Sequence, residues 1–351
     1  MRVVGVGLLG TSIALGLRAR GVDVILSDSS PTNVSIAVDY GAGRRATDGD
    51  EPQIVVVCVP PDVTASVIVR ELSAYPRAVV TDVASVKRPI LDAVIAAGGD
   101  VTRYVGSHPL AGREKGGPMS GRADLFLGRP WVVAGHPAIS YQTAAAVDDL
   151  ILDLGATLVE MSAEEHDASV ALVSHAPQVV STVMARRLAG APDAAVNLAG
   201  QGLRDVTRIA SSDPELWVQI LGANAAPVVA VLEEFRGDLD RFIAALADPE
   251  APGARRDIAE ELAGGNAGVA RIPGKHGQDR RYAAIVVMVD DTPGELARLL
   301  TEVGEIGVNL EDLRLEHSPG AQIGLAEIAV LPETVQRLTD ALTERGWRIA
   351  G

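Results

Sequence analysis

Three glycines near the start, Gly5, Gly7 and Gly10, constrain this chain more than any other feature. Their spacing is G-x-G-x-x-G. The apolar stretch Met1–Val4 before them reads as a strand. Thr11–Arg20 reads as a helix closed by Gly21, and Val22–Ser27 as a second strand running into Asp28. Strand, glycine turn, helix, strand and acid in that order form the fingerprint of a dinucleotide-binding unit. Gly5 permits the tight turn, Gly7 lets the backbone approach a pyrophosphate, and Gly10 lets helix and strand pack closely. The helix N-terminus offers free N–H groups and a positive dipole end to phosphate. Asp28 accepts from both ribose hydroxyls and repels a 2′-phosphate, which favours NAD over NADP. Leu8 and Leu9 within the turn, with Val59, Pro60 and Asp82 at later strand ends, complete the expected cofactor contacts.

The alternation continues. Ile54–Val59, Ala78–Thr81, Tyr104–Gly106 and Trp131–Ala134 read as strands, with helices at Val63–Ser73 and Pro89–Ala97. This gives an α/β, doubly wound, mainly parallel sheet. Ligands of such sheets bind outside the carboxyl ends of the strands. Gly5–Gly10, Pro60, Ser85 and His108 all follow strand ends and are expected to converge there. The stretch Val105–Pro118 is rich in glycine and proline and reads as a loop. Within it, Pro109 stiffens the backbone that presents His108. An imidazole held this way suits acid–base work; the alternative is an incidental surface histidine.

Composition narrows the function classes. With 351 residues the chain can form two or three domains. A formal charge of −15 argues against nucleic acid or an anionic membrane surface as partner. A small anionic substrate would then need local arginines. The single cysteine, Cys58, lies in an apolar run, excludes an internal disulfide and fits a reducing cytoplasm. No uncharged apolar stretch approaches about 20 residues. The six histidines show no ligand spacing, so no metal is expected.

After about Ala138 helices take over. Tyr141–Leu154 reads as a helix and Ala156–Met161 as a last strand. Glu164–Gly190 reads as one long helix bent by Pro177, with His175 and Gln178 on a shared face; a buried histidine there is equally a satisfied core residue. Arg204 and Arg208 are four apart and on one helix would point the same way. They suit a dicarboxylate, or they pair with nearby acids such as Asp205. Ser212-Asp213-Pro214-Glu215 is a helix start, and Leu216–Leu246 continues it.

Together these segments resemble the prephenate dehydrogenases of tyrosine biosynthesis. The resemblance rests on Gly5–Gly10, Asp82-Val83-Ala84-Ser85-Val86-Lys87, Gly106–Gly112 with Glu114-Lys115, Ser174-His175-Ala176-Pro177, and Arg204–Ala210 followed by Ser212-Asp213-Pro214 and Trp217. They fall in the family's order over about residues 1–248. The resemblance implies a Rossmann-type domain over residues 1–140 and an all-helical substrate and dimerisation domain over 141–250. It implies NAD as cofactor, prephenate as substrate and a homodimer. His108 is then the group that takes the proton from the substrate's 4-hydroxyl, and Ser85 orients that histidine and the hydroxyl. Arg208 binds a substrate carboxylate, Arg204 adds charge nearby, Glu114 gates the pocket, and His175 lines the side-chain end with Gln178. Some members carry a second histidine where this chain has Gln178.

Pro249–Arg280 is rich in Gly, Ala, Arg and Asp; Asp257–Leu262 reads as a short helix at most, and residues 251–280 as a linker. From Tyr282 the order βαββαβ gives a small ferredoxin-like α+β domain over 281–351. With Asp291-Thr292-Pro293-Gly294 and Gly307-Val308-Asn309 it resembles an ACT domain. Asp291, Pro293, Gly294 and Asn309 are the expected effector contacts, and tyrosine is the implied effector; a structural appendage that binds nothing is the other reading.

Three rival readings fit parts of the sequence. An arogenate dehydrogenase differs only in the amino group of its substrate, and neutral Gln178 leans away from it. A 3-hydroxyacid dehydrogenase normally uses a lysine on the long helix, and Glu164–Gly190 has none. A non-catalytic NAD-binding amino-acid sensor would not need His108, Ser85 and Arg208 together.

Overall fold

The computed structural model describes residues 1–112, 116–272, 282–317 and 323–350. In chain order the first strands and helices are β1 (Arg2–Val4), α1 (Leu8–Arg18), β2 (Ile25–Ser27), α2 (Pro31–Asp39), β3 (Arg44–Arg45), β4 (Ile54–Val57), α3 (Pro61–Ala74), β5 (Val79–Asp82), α4 (Arg88–Ala96), β6 (Tyr104–Pro109), β7 (Pro130–Gly135), α5 (Tyr141–Asp153) and β8 (Thr157–Ser162). The strands form one sheet in the order β3-β2-β1-β4-β5-β6-β7-β8. The order reverses between β1 and β4, so a crevice opens at the carboxyl ends of these two strands. β1 through β6 pair in parallel. β7 runs antiparallel to β6 and carries β8 parallel to itself.

Successive side chains of a strand point to opposite faces, and both faces are buried here. Val3 and Val56 join one core with Ile13, Leu17, Leu26, Trp131 and Ile151. Val4, Val55 and Val57 join the other with Ile68, Leu72, Val80, Ile90 and Tyr104. The near-continuous valine run of β4 is the sequence trace of this two-sided burial. Because β8 belongs to the sheet, the nucleotide-binding fold extends past residue 140, the limit expected from the sequence.

The following elements are α6 (Ala163–Val170), a π-helical turn (Ala171–His175), α7 (Ala176–Leu188), α8 (Asp193–Val196), α9 (Gln201–Thr207), a 3₁₀ turn (Arg208–Ser211), α10 (Pro214–Ala223), α11 (Ala225–Ala247) and α12 (Ala254–Val269). The sequence predicts one bent helix over 164–190. Instead, Pro177 has no N–H for an α-type bond, and the Ala176 N–H reaches back five residues to the Ala171 carbonyl. The strain is absorbed as a π turn that carries Ser174 and His175. Asp213 caps α10 as expected, its carboxylate accepting from the Glu215 N–H. The expected helix to Leu246 breaks at Asn224, whose side chain is buried and hydrogen-bonded. α12 runs through Gly264, Gly265 and Gly268, where the sequence predicts a linker; residues 273–281 lie outside the described residues.

The last elements are β9 (Ala283–Asp290), α13 (Glu295–Ile306), β10 (Asp312–His317), β11 (Ile323–Val330), α14 (Val335–Glu344) and β12 (Arg348–Ala350). They form an antiparallel sheet in the order β10-β11-β9-β12, the topology that βαββαβ predicts. Ile285, Val287, Ala326 and Ile328 pack there with Leu299, Val303, Leu338 and Leu342 in a separate core. By contacts the chain divides into two compact units. One is Met1–Ala191 with Val206–Phe235; the other is Pro192–Asp205 with Arg236–Gly351.

Candidate active site

The glycine turn has the geometry a pyrophosphate needs. Gly5 adopts φ +93°, and a Cβ there would lie 2.3 Å from the Cys58 carbonyl oxygen. A Cβ on Gly10 would lie 1.9 Å from the Gly5 carbonyl oxygen, so α1 and the turn are in backbone contact. Beside Gly7 there is nothing within 4 Å. α1 begins at this open position with no side-chain cap and no acidic residue in its first turn, which leaves its N–H groups for an anion. Asp28 follows β2, and its two carboxylate oxygens accept from the Val6 and Ser30 N–H groups at 2.8 Å each. The carboxylate is thereby fixed beside the turn, with lone pairs remaining for ribose hydroxyls. Pro60 opens α3 at the end of β4. These residues fit a bound dinucleotide.

Asp82 does not belong to that set. It is fully buried and accepts from Lys87 Nζ, from the Ala84 N–H at 2.8 Å and from the Tyr104 hydroxyl at 2.7 Å. Lys87 Nζ, also fully buried, donates to the Ser107 carbonyl at 2.7 Å. Burial pushes the lysine below its ordinary range, while Asp82 and Asp167 oppose this. Ser107 Oγ donates to the Asp82 carbonyl at 2.7 Å and accepts from Trp131 Nε1 at 3.0 Å. The Asp-Val-Ala-Ser-Val-Lys segment is thus a polar frame that locks the ends of β5 and β6 together.

His108 stands on that frame. It lies within β6, opposite Val132 of β7, and not in a loop as the sequence predicts. The antiparallel pairing with β7 extends β6 to Pro109 and holds the histidine backbone from the β7 side, beyond Gly106 where the pairing with β5 ends. Its side chain is half-buried. Burial drives its pKa well below the ordinary 6.5, and the neighbouring His166, Lys87 and His175 push the same way. The ring is therefore neutral near pH 7, as a base must be.

The ring's partner was not anticipated from the sequence. His108 Nδ1 lies 2.9 Å from His166 Nε2, and the rings meet edge to face at 5.1 Å. Ser85, expected to orient His108, is half-buried in the turn after β5 and makes no hydrogen bond to that ring. His166 is fully buried on α6, and its Nδ1 lies 2.7 Å from Asp167 Oδ1. Asp167 in turn accepts from the Lys87 and Arg88 N–H groups at 2.8 and 2.9 Å, sealing the start of α4.

Neighbouring groups extend this network. Asn224 Nδ2 donates to the Asp167 carbonyl at 2.8 Å and to His175 Nδ1 at 3.0 Å. His175 is buried on the π turn, edge-on to Trp217 at 5.9 Å. Its pKa is pushed down to about 4 by burial first and by His166 second. Gln178 is buried one turn along α7.

The arginines differ from expectation. α9 ends at Thr207, so Arg204 sits on the helix and Arg208 opens the 3₁₀ turn after it. Both are exposed, and only Arg208 belongs to the unit that holds His108. Its 3₁₀ turn packs against α7, the helix that follows His175. Glu114 lies outside the described residues. In the C-terminal unit Gly294 caps α13 at φ +98°, and Asn309 Nδ2 donates to Glu311 Oε1 at 3.0 Å.

The doubly wound sheet, the glycine turn and a neutral histidine on the same strand-end edge define a dinucleotide-dependent oxidoreductase. The family model described as the nucleotide-binding domain of prephenate dehydrogenase matches residues 13–160, and the one for the dimerization domain matches 162–260. A probable prephenate dehydrogenase of Streptomyces niveus is 36% identical over 98% of each chain. A cyclohexadienyl dehydrogenase of Zymomonas mobilis is 30% identical over 71% of this chain and 88% of its own. The solved Aquifex aeolicus prephenate dehydrogenase, in complex with hydroxyphenyl propionate and NAD+, superposes with a TM-score of 0.68 at 26% identity. That match covers 76% of this chain and 97% of the other. The chain belongs to the prephenate dehydrogenase family, whose members are NAD-dependent oxidoreductases.

Proposed function

We propose that this chain converts prephenate to 4-hydroxyphenylpyruvate by NAD-dependent oxidative decarboxylation. The observation that carries the reading is His108: a neutral imidazole, held through Nδ1, at the same sheet edge as the glycine turn. NAD bound at that turn would supply the hydride acceptor. His108 Nε2 takes the proton of the 4-hydroxyl as the C4–H bond breaks. The electron pair of the bond to the ring carboxylate then enters the ring, carbon dioxide leaves, and the ring becomes aromatic. Ser85 contributes a hydroxyl beside this reaction. His175, neutral and accepting through Nδ1, presents Nε2–H as a donor towards the substrate. Arg208, always charged and on a turn packed against α7, is the candidate partner for a substrate carboxylate. Gln178, neutral where arogenate's ammonium would favour an acid, supports prephenate over arogenate.

The chain acts as a homodimer in the cytoplasm in this reading. Support comes from the matched dimerization model, from exposed Leu172, Val173, Val183 and Val218, and from the single cysteine. The C-terminal domain binds tyrosine through the segment Asp291–Gly294 and Asn309 and lowers turnover.

A paired assay tests all of this. NADH formation is followed with prephenate and with arogenate, each with NAD and NADP, and with and without tyrosine. The reading expects prephenate with NAD to give the highest kcat/KM and tyrosine to reduce it. No turnover of prephenate overturns the substrate assignment, and no effect of tyrosine overturns the effector assignment.

A further inference from the structure

We propose that His166 and Asp167 form a positioning relay that fixes which nitrogen of His108 carries its proton, and so makes His108 a base. The argument runs inward from the carboxylate. Both Asp167 oxygens already accept backbone N–H groups, from Lys87 at Oδ1 and Arg88 at Oδ2. The contact of His166 Nδ1 with Asp167 Oδ1 is therefore made by an imidazole N–H donating to a carboxylate. In the proposed relay the single N–H of His166 is spent on Asp167, so its Nε2 accepts, and the partner 2.9 Å away is the Nδ1–H of His108. That leaves the lone pair of His108 on Nε2, which has no hydrogen-bond partner among the described residues.

The opposite tautomer would put a hydrogen on Nε2 and leave nothing to take the substrate proton. When His108 Nε2 gains the proton, the positive charge is shared along a line that ends on Asp167. No group enters or leaves the line, and the proton can return to solvent after the product departs. The charged or titratable groups near His108 are His166, His175 and Lys87, and none but His166 bonds its ring. His166 and Asp167 touch neither hydride nor substrate in this scheme; they act through His108.

The proposal rests on the reading of His108 as the base, yet it can be tested apart from the substrate. In the full-length protein labelled with ¹⁵N-histidine, two-bond ¹H–¹⁵N spectra at pH 7.5 report each ring's tautomer, and the spectrum of His108→Asn identifies the His108 signals. The expectation is Nδ1–H for both His108 and His166. An Nε2–H signal for His108 overturns the proposal whether or not prephenate is turned over. A correct tautomer in a protein inert to prephenate leaves the relay standing and sinks the substrate reading instead.

Kinetics add a second arm. His166→Leu removes the acceptor and is expected to lower kcat by about 100-fold with KM and NAD affinity unchanged. His166→Gln, whose amide oxygen can accept from Nδ1–H, recovers a large part of the loss. A His166→Leu enzyme that folds, binds NAD and turns over within about threefold of the parent refutes the relay. So does a glutamine variant no better than leucine. If the leucine variant fails to fold, the tautomer spectrum of the parent decides alone.

Discussion

The glycine turn permits a prediction in which two similar substitutions fail in different ways. At Gly10 an added methyl would lie 1.9 Å from the Gly5 carbonyl oxygen and 3.2 Å from Cys58 Cβ. Favourable contact begins near about 3.5 Å, so helix and turn must part by roughly 1.5 Å. The obstructing atom is backbone, so no side chain can rotate away. Alanine's better helix propensity returns only about 1 kcal/mol. Overpacking usually costs about 1–3 kcal/mol and here falls at the upper end. A net loss of about 2 kcal/mol lowers the melting temperature by roughly 4–8 °C in a domain of this size. NAD affinity falls with it, because the displaced turn is the binding element. At Gly7 the methyl would meet nothing within 4 Å. The residue caps α1 with an extended backbone that alanine tolerates, so the cost is at most about 1 kcal/mol. The same methyl stands where a pyrophosphate must approach, and NAD affinity drops at least about tenfold, which is about 1.4 kcal/mol. Circular-dichroism melts and calorimetric NAD titrations of both variants separate the cases. If Gly10→Ala melts with the parent and binds NAD as well, or if Gly7→Ala loses as much stability as Gly10→Ala, the reasoning fails.

Four further outcomes are expected. Lys87→Met strands the fully buried Asp82 carboxylate and costs about 3–5 kcal/mol in urea unfolding; adding Asp82→Asn recovers a good part of it. His175 has a folded pKa pushed down to about 4, so the unfolded chain binds a proton below about pH 6.5 that the folded chain refuses. Stability is then complete above pH 6.5 and falls towards pH 4 by up to about 3 kcal/mol from this group, and His175→Gln flattens that slope in urea titrations at several pH values. For His108, whose pKa is also lowered, kcat/KM stays level as pH drops through 6.5 and declines only below it, while His108→Asn loses orders of magnitude in kcat with NAD affinity kept. Arg208→Gln raises KM for prephenate at least about tenfold, with NAD binding unchanged by calorimetry.

The sequence was most informative where local spacing carries the physics. Gly5, Gly7 and Gly10 are legible because each meets a backbone requirement within one turn, and the βαββαβ order of the C-terminal region is legible from hydrophobic alternation. His108 could be picked out, but not its strand, because β6 is prolonged by pairing with β7 and not by its own residues. His166 and Asp167 follow two glutamates at a capped helix start and look like a solvated first turn. Only the approach of α6 to β6, across 58 positions, makes them partners of the base. Asp82 reads as a strand-end acid facing a cofactor, and nothing local shows that Lys87 and Tyr104 enclose it. Pro177 announces a disturbed helix without saying that the disturbance is a π turn. The break at Asn224 is equally silent, since its cause is a hydrogen bond to a histidine on another element.

The contact between His108 and His166 also crosses a boundary. The first lies in the segment matched by one family model, residues 13–160, and the second in the segment matched by the other, residues 162–260. Chimeras that graft a foreign helical half onto this nucleotide half must therefore bring a compatible His-Asp pair with them. On the proposed relay, a swap made at the junction near Met161 without that pair would keep cofactor affinity and His108 itself but lose the partner of its Nδ1, so the two halves diverge as a matched set.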